Sequence, residues 1–249
     1  MGRVTSPDRV PRATTSEEHL QAVTVGPLGR LDGSVACDCP ADSRIARYFD
    51  RRSRKRQEAG QRYEPGAVSK ALHEALIAEG PAGRTILELG CGPGAMLVAL
   101  LSEGADRASG VDLSPEAVEE ARRRAEEAGV ASRADFSVAD GAHAALTPHD
   151  WVVLDKVMCC YPDVDALLGN SIPVARHLYA FAVPASYGWR GAIARAALSL
   201  EAVALAILRR PCPAYVHDVA MIERRLTEAG FRPVTRHTSS FWHIGVFAR

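Results

Sequence analysis

The stretch Thr85-Ile-Leu-Glu-Leu-Gly90-Cys-Gly-Pro-Gly94-Ala-Met-Leu97 joins an apolar strand to three alternating glycines and then to a helical run. Glycine at 90, 92 and 94 lets the backbone turn tightly and come close to a ligand that side chains would exclude. On letters alone, Gly90, Gly92 and Ala95 also satisfy the dinucleotide pattern G-x-G-x-x-[G/A]. Two residues speak against a dinucleotide. Pro93 removes a backbone N–H where a pyrophosphate would be held at the helix start. Glu88 sets a carboxylate beside the loop, where it repels phosphate and welcomes an ammonium or sulfonium.

Working outward from this loop, the patterning predicts strands over 84–89, 108–111, 134–138, 151–154, 177–183, 232–238 and 242–248. Helical signals separate the first five, which is the pattern of a parallel sheet with helical crossovers. Helices are expected over 43–61, 67–79, 116–128 and 216–229, the third opened by Ser114 as N-cap and Pro115 at its first turn, and stopped by Gly129. The last two strands follow each other closely, so the sheet is expected to end in an antiparallel hairpin. An additional amphipathic helix is expected over 189–210, after the fifth strand, with a broad apolar face and only a narrow arc of charge. Its place in the chain suggests a lid over the acceptor side of the sheet; a subunit contact or a lipid contact remains open.

Acidic residues follow in order at successive strand ends. Asp112 closes the second strand with two oxygens able to accept from both hydroxyls of a ribose, and Leu113 would flank a base. After the third strand, Asp140 can accept from an adenine amino group while Gly141 allows close approach. With the glycine loop, this ordered set resembles the class I S-adenosylmethionine-dependent methyltransferases, whose first motif looks like Leu87-Glu88-Leu89-Gly90-Cys91-Gly92-Pro93-Gly94. The resemblance implies an α/β, Rossmann-like fold with a seven-stranded, mostly parallel sheet. It also implies S-adenosyl-L-methionine as cofactor, with Glu88, Gly90, Cys91, Gly92, Gly94, Asp112, Leu113, Asp140, Gly141 and Lys156 as its contacts. A narrower resemblance lies in Leu154-Asp-Lys-Val-Met-Cys-Cys-Tyr-Pro-Asp163, Tyr215-Val-His217 and Trp242-His-Ile-Gly-Val-Phe-Ala-Arg249. These segments look like bacterial proteins grouped with the magnesium-protoporphyrin O-methyltransferases.

Composition sets outer limits. The 249 residues carry 30 basic and 30 acidic side chains, and 47% are hydrophobic, which excludes disorder throughout and gives no global attraction to nucleic acid or membrane. Three of the basic residues are lysines: Lys55, Lys70 and Lys156. Residues 1–35, rich in Gly, Pro, Ser and Thr, read as a mobile tail; 36–83 as helices capping the site; and 84–249 as the cofactor-binding domain. The six cysteines form no CxxC pair and no disulfide framework, and residues 1–15 lack an apolar h-region, so a cytoplasmic location is the expectation. No transmembrane span is expected, since Arg195 and Glu201 interrupt the one broad apolar helix.

For the transfer chemistry, Asp155 and Tyr161 after the fourth strand are expected near the methyl group, and His217 is the general-base candidate because a neutral imidazole suits proton removal near neutrality. The vicinal thiols Cys159 and Cys160, alone or joined by Cys37 or Cys39, allow a soft ion to be considered. No metal site is assigned. Arg51, Arg52, Arg54, Lys55, Arg56 and Arg62 crowd one short helix, read chiefly as a solvated face, and Tyr48, Phe49 and Tyr63 could close over the cofactor. Together these readings lead to methyl transfer onto a small, partly hydrophobic metabolite, with no nucleic-acid partner and a homodimer left open. The alternatives are magnesium-protoporphyrin-type carboxyl methylation, thiol-assisted metalloid methylation and a non-catalytic binding module.

Overall fold

The computed structural model describes Met1 and residues 44–186, 215–238 and 241–249. The tail expected over 1–35 apart from Met1, the helix expected over 189–210, and Cys37, Cys39 and Cys212 lie outside these residues.

Two helices, α1 (Arg44–Glu58) and α2 (Ala67–Ala78), precede β1 (Thr85–Leu89). Then come α3 (Ala95–Ser102), β2 (Arg107–Asp112), α4 (Pro115–Glu127), β3 (Ala134–Val138), β4 (His149–Asp155), α5 (Val164–Ser171) and β5 (Ala175–Pro184). After the undescribed stretch, α6 (Val219–Glu228), β6 (Arg232–Thr238) and β7 (Trp242–Ala248) close the chain. The seven strands form one sheet in the order β3-β2-β1-β4-β5-β7-β6. All pairs are parallel except β5 with β7 and β6 with β7. Strand order reverses between β1 and β4, and such a switch point is where open α/β sheets bind ligands.

Alternation along the strands divides the core into two layers. Ile86, Ala108, Trp151 and Val153 pack with Leu72 and Leu76 of α2, Leu97 and Leu101 of α3, and Val118 of α4. Leu87, Leu89, Val111, Val152 and Leu154 pack on the other face with Leu167 of α5, Ile222 and Leu226 of α6, and Phe231. Because both faces are covered at the centre of the sheet, β1, β4 and β5 carry nearly continuous apolar runs, whereas the edge strands β3 and β6 are polar and largely exposed. The parity fixes the acids. Glu88 shares the face of Ile86, Asp112 that of Ala108, and Asp155 that of Val153, so all three carboxylates project from the C-terminal edge on the side covered by α2, α3 and α4.

Element ends follow local chemistry. Ser114 Oγ accepts from the Ala117 N–H and caps α4 at 3.1 Å. The last helix starts at Val219 and not at 216, because Asp218 takes the N-cap and accepts from the Ala220 N–H. Strand β4 starts two residues earlier than its apolar run, at His149, which is buried and has Nε2 2.9 Å from Ser109 Oγ and Nδ1 2.7 Å from the Thr147 carbonyl. His243 is buried in the hairpin, with Nδ1 3.0 Å from Thr238 Oγ1 and Nε2 3.1 Å from Glu223 Oε1.

The basic face of α1 is not simply solvated. Arg54 pairs with Glu116 at 2.8 Å, Arg56 with Glu120 at 3.3 Å, and Arg62 with Glu127, so the acids of α4 hold the segment down. The more exposed pairs, Arg54–Glu116 and Arg62–Glu127, contribute about 0–1 kcal/mol each, while Arg56 meets a buried Glu120; together they set where α1 lies, over α4 and beside the end of β2.

Candidate active site

A cavity of about 550 Å³ opens above the switch point. Its floor comes from the ends of β1, β2 and β4 and the loop after β3, and its roof from α1 and α2. All of Glu88, Gly90, Cys91, Gly92, Asp112, Leu113, Asp140, Gly141, Asp155, Lys156 and Tyr161 line it. Gly94 does not line it but shapes the loop.

Each of the three loop glycines has positive φ, and they serve different ends. A Cβ on Gly90 would run into Val157 Cγ2, and one on Gly94 would meet Ala121 Cβ at 2.8 Å, whereas nothing lies within 4 Å of the Cβ position of Gly92. Gly90 and Gly94 therefore serve packing, and Gly92 leaves open space toward the cavity. Cys91 fills the notch left by Gly110, where an added Cβ would lie 2.8 Å from Cys91 Sγ. Burial, followed by the charges of Asp112 and Glu88, holds its thiol well above the usual range, so it stays a neutral filler.

Asp112 is the hinge between loop and second strand. Its Oδ2 accepts from the Gly92 N–H at 2.7 Å and its Oδ1 from the Ser114 N–H at 2.8 Å, leaving one lone pair on each oxygen for a diol. Asp140 is satisfied from within the protein: the Tyr161 hydroxyl lies 2.9 Å from both carboxylate oxygens, the Ala142 N–H donates to Oδ1, and His143 Nδ1 lies 3.2 Å from Oδ2. Tyr161, read from the sequence as close to the methyl group, is thus tied to the carboxylate expected at the adenine end.

Asp155 Oδ2 accepts from Ser69 Oγ at 2.5 Å and lies 3.8 Å from Lys156 Nζ. Lys156 adopts φ +59°, a left-handed conformation unusual for a side-chain-bearing residue, and its N–H donates to the Ala182 carbonyl. Two carboxylate oxygens, Glu88 Oε2 and Asp155 Oδ1, are buried with no hydrogen-bond partner. Such atoms are costly unless something answers them. No cluster of metal-ligating side chains exists among the described residues.

The structure places His217, read from the sequence as the base candidate, against the backbone. Its Nε2 lies 2.9 Å from the carbonyls of both Met158 and Tyr161, and it is not among the residues that line the cavity. It acts as a clamp on the turn after β4, with Tyr215 stacked on it and donating its N–H to the Cys159 carbonyl. Cys159 and Cys160 do line the cavity, their sulfurs 3.8 Å apart. The cap contributions of Ser69, Lys70 and His73 escaped sequence reading because α2 reads as an ordinary amphipathic helix; the i, i+4 spacing of Ser69 and His73 is the one signal.

Burial, followed by the charges of Asp155 and Asp112, raises the Glu88 carboxyl well above its usual range, and burial raises Asp112 and Asp155 as well. A carboxyl whose folded pKa is raised contributes stability that is full below its unfolded pKa and lost as pH rises through the folded value. These three carboxyls are therefore expected to lose their contribution to the stability of the ligand-free protein as pH rises through their raised pKa values, while His243, held below its usual range by burial, works in the opposite direction. A cationic ligand would ionise the site and release protons. Calorimetry in buffers of different ionisation enthalpy checks this; proton uptake on binding would contradict it.

Residues 86–176 match the family model described as a methyltransferase domain. Ribosomal protein L11 methyltransferase of Edwardsiella ictaluri is 35% identical over 100 residues, covering 36% of this chain and 34% of that protein. Release factor glutamine methyltransferase of Rhodospirillum rubrum is 38% identical over 107 residues, 42% of this chain and 33% of that protein. The chain thus spans about a third of the length of these curated relatives. Among solved structures, magnesium protoporphyrin IX methyltransferase from Synechocystis PCC 6803 with bound SAH superposes with a TM-score of 0.63 at 21% identity, over 82% of this chain and 97% of that one. A geranyl diphosphate methyltransferase in complex with GPP and sinefungin gives 0.62 at 16% identity, over 85% and 99%. Over residues 86–176 the chain is therefore similar to known methyltransferase domains, and its fold is shared with methyltransferases of known structure.

Proposed function

We propose that this protein transfers a methyl group from S-adenosylmethionine to a small, partly hydrophobic acceptor. The observation that carries the reading is the pair of unanswered buried oxygens, Glu88 Oε2 and Asp155 Oδ1, beside a loop whose Gly92 leaves room for a ligand. An ammonium satisfies both and a phosphate neither. Asp112 takes the ribose hydroxyls on its remaining lone pairs, Leu113 flanks the adenine, and Asp140, held by Tyr161, meets the adenine edge beside Gly141.

When bound, the cofactor supplies a sulfonium methyl already activated for displacement, so alignment and exclusion of water are the protein's main tasks. Tyr48, Phe49, Tyr63 and Trp242 give the rest of the cavity an aromatic lining that favours an apolar acceptor body. With His217 engaged as a clamp, the reading requires an acceptor that reaches the site as a ready nucleophile or loses its proton to solvent.

The test is transfer of radiolabelled methyl from S-adenosylmethionine onto a panel of hydrophobic carboxylic acids, phenols and amines, with a polypeptide and an RNA alongside. Label on a small molecule supports the reading. Label only on polypeptide or RNA would reject the small-acceptor assignment and keep the methyltransferase.

A further inference from the structure

Consecutive side chains on a strand point to opposite faces, but Cys159 and Cys160 stand on one turn of 3-10 helix, Met158–Cys160, just after β4. There the two sulfurs converge. They lie 3.8 Å apart, and both approach the Lys156 carbonyl, Cys159 at 3.2 Å and Cys160 at 3.9 Å. Both residues line the cavity. Distant residues hold this turn by its backbone: His217 Nε2 lies 2.9 Å from the carbonyls of Met158 and Tyr161, and the Tyr215 N–H donates to the Cys159 carbonyl at 2.7 Å. Within the turn, the Cys160 N–H donates to the Val157 carbonyl at 2.9 Å and the Tyr161 N–H to that of Met158 at 3.1 Å. These contacts fix the backbone that carries the two sulfurs, and such preorganisation lowers the cost of gripping a ligand with both.

The separation of the sulfurs selects the ligand. A disulfide would need them at about 2.05 Å. A single centre bonded to two thiolates at about 2.3 Å and a tetrahedral angle sets them about 3.8 Å apart, which is the spacing the turn already provides. Two sulfurs are half of the ligands a zinc ion takes, but they complete a soft trivalent centre that already carries one carbon substituent. Tyr48, Phe49 and Trp242 line the same cavity and suit an organic substituent on such a centre.

We propose that Cys159 and Cys160 form a dithiol site for a thiophilic compound of the monosubstituted trivalent arsenic type, R–As(OH)2. The step is a condensation: both S–H bonds and both As–OH bonds break, two As–S bonds form, two waters leave and arsenic stays trivalent, so neither oxidant nor reductant is required. The product is uncharged, which suits a largely buried site. The inference goes beyond methyl transfer and does not depend on it. The probe is phenylarsine oxide, which hydrates to this form in water, added to the full chain in its reduced state. Intact mass spectrometry should show one phenylarsenic group per chain that survives excess monothiol and is removed by a dithiol, and peptide mapping should place it as a bridge between Cys159 and Cys160. Cys159→Ser and Cys160→Ser are each expected to lose about 100-fold in affinity, because the second thiol no longer closes the ring. A variant combining Cys37→Ser, Cys39→Ser and Cys212→Ser should bind as wild type. No adduct, a bridge mapped to other cysteines, or unchanged affinity in either single serine variant would overturn the assignment. The mapping uses the wild-type chain, so it stands even where a serine variant fails to fold. Calorimetry with S-adenosylhomocysteine on the same preparation reads the methyl-transfer proposal separately: a chain that binds the arsenical alone keeps this inference and loses that one, and the reverse result does the opposite.

Discussion

Gly90→Ala is expected to destabilise the protein by about 2–5 kcal/mol and to abolish measurable cofactor binding, whereas Gly92→Ala is expected to leave a folded protein that binds poorly. The two substitutions add the same methyl group to the same loop, and both residues have positive φ, +66° and +51°. They differ in surroundings. At Gly90 the new carbon falls on Val157 Cγ2, in the short connection that follows β4 and leads to the turn held by His217. Val157 is β-branched, with little rotamer freedom to yield, so the connection itself must shift. At Gly92 the new methyl meets no protein atom, which limits the cost to the backbone conformation, about 1–2 kcal/mol, while the methyl occupies ligand space. Denaturant melts and calorimetric titration of the two variants separate the cases. Equal stabilities, or a Gly92→Ala variant with unchanged affinity, would contradict the division between packing and ligand-facing glycines.

Asp112→Ala is expected to weaken S-adenosylhomocysteine by about 1.5–3 kcal/mol, roughly 10- to 100-fold, through the charge-assisted hydrogen bonds to ribose alone. The structure adds a second route to the same loss. Asp112 also holds the Gly92 and Ser114 N–H groups, so its removal frees the glycine loop from the end of β2 and loosens the start of α4. Asp112→Asn separates the two effects, since an amide retains one acceptor but presents a donor to one of those N–H groups. It should fall between wild type and Ala in stability, with affinity for the ribose nearly as poor as in Ala. Unchanged affinity in both variants, measured by calorimetry, would remove Asp112 from the binding site.

Much of this architecture was legible in the sequence because parallel strands buried on both faces leave uninterrupted apolar runs, and because Ser114-Pro115 and Gly129 mark the ends of α4 unambiguously. The order of acids at strand ends was equally legible, since Asp112 and Asp155 close their strands, Glu88 stands one residue before the end of β1 and Asp140 two residues past β3. What sequence could not supply was pairing between distant segments. Nothing local ties Tyr161 to Asp140 across 21 positions, or turns His217 away from the cavity onto two carbonyls 56 and 59 residues earlier. The arginines of α1 looked solvated because their acidic partners stand on α4, more than 60 positions on. Ser69, Lys70 and His73 acquire meaning only once α2 is laid over the β4 end, where Ser69 meets Asp155.

Among the described residues no helix is long and apolar enough to cross a membrane. The cavity above the switch point, with acids below and α1 and α2 above, is where a ligand is to be sought. The most direct test of the central claim is calorimetric titration of the full chain with S-adenosylmethionine, S-adenosylhomocysteine and NAD. The structure predicts micromolar binding of both adenosyl-sulfur compounds and none of NAD, because Glu88, Asp155 and Pro93 favour an ammonium and disfavour a pyrophosphate. Binding of NAD alone, or of none of the three, would contradict the account.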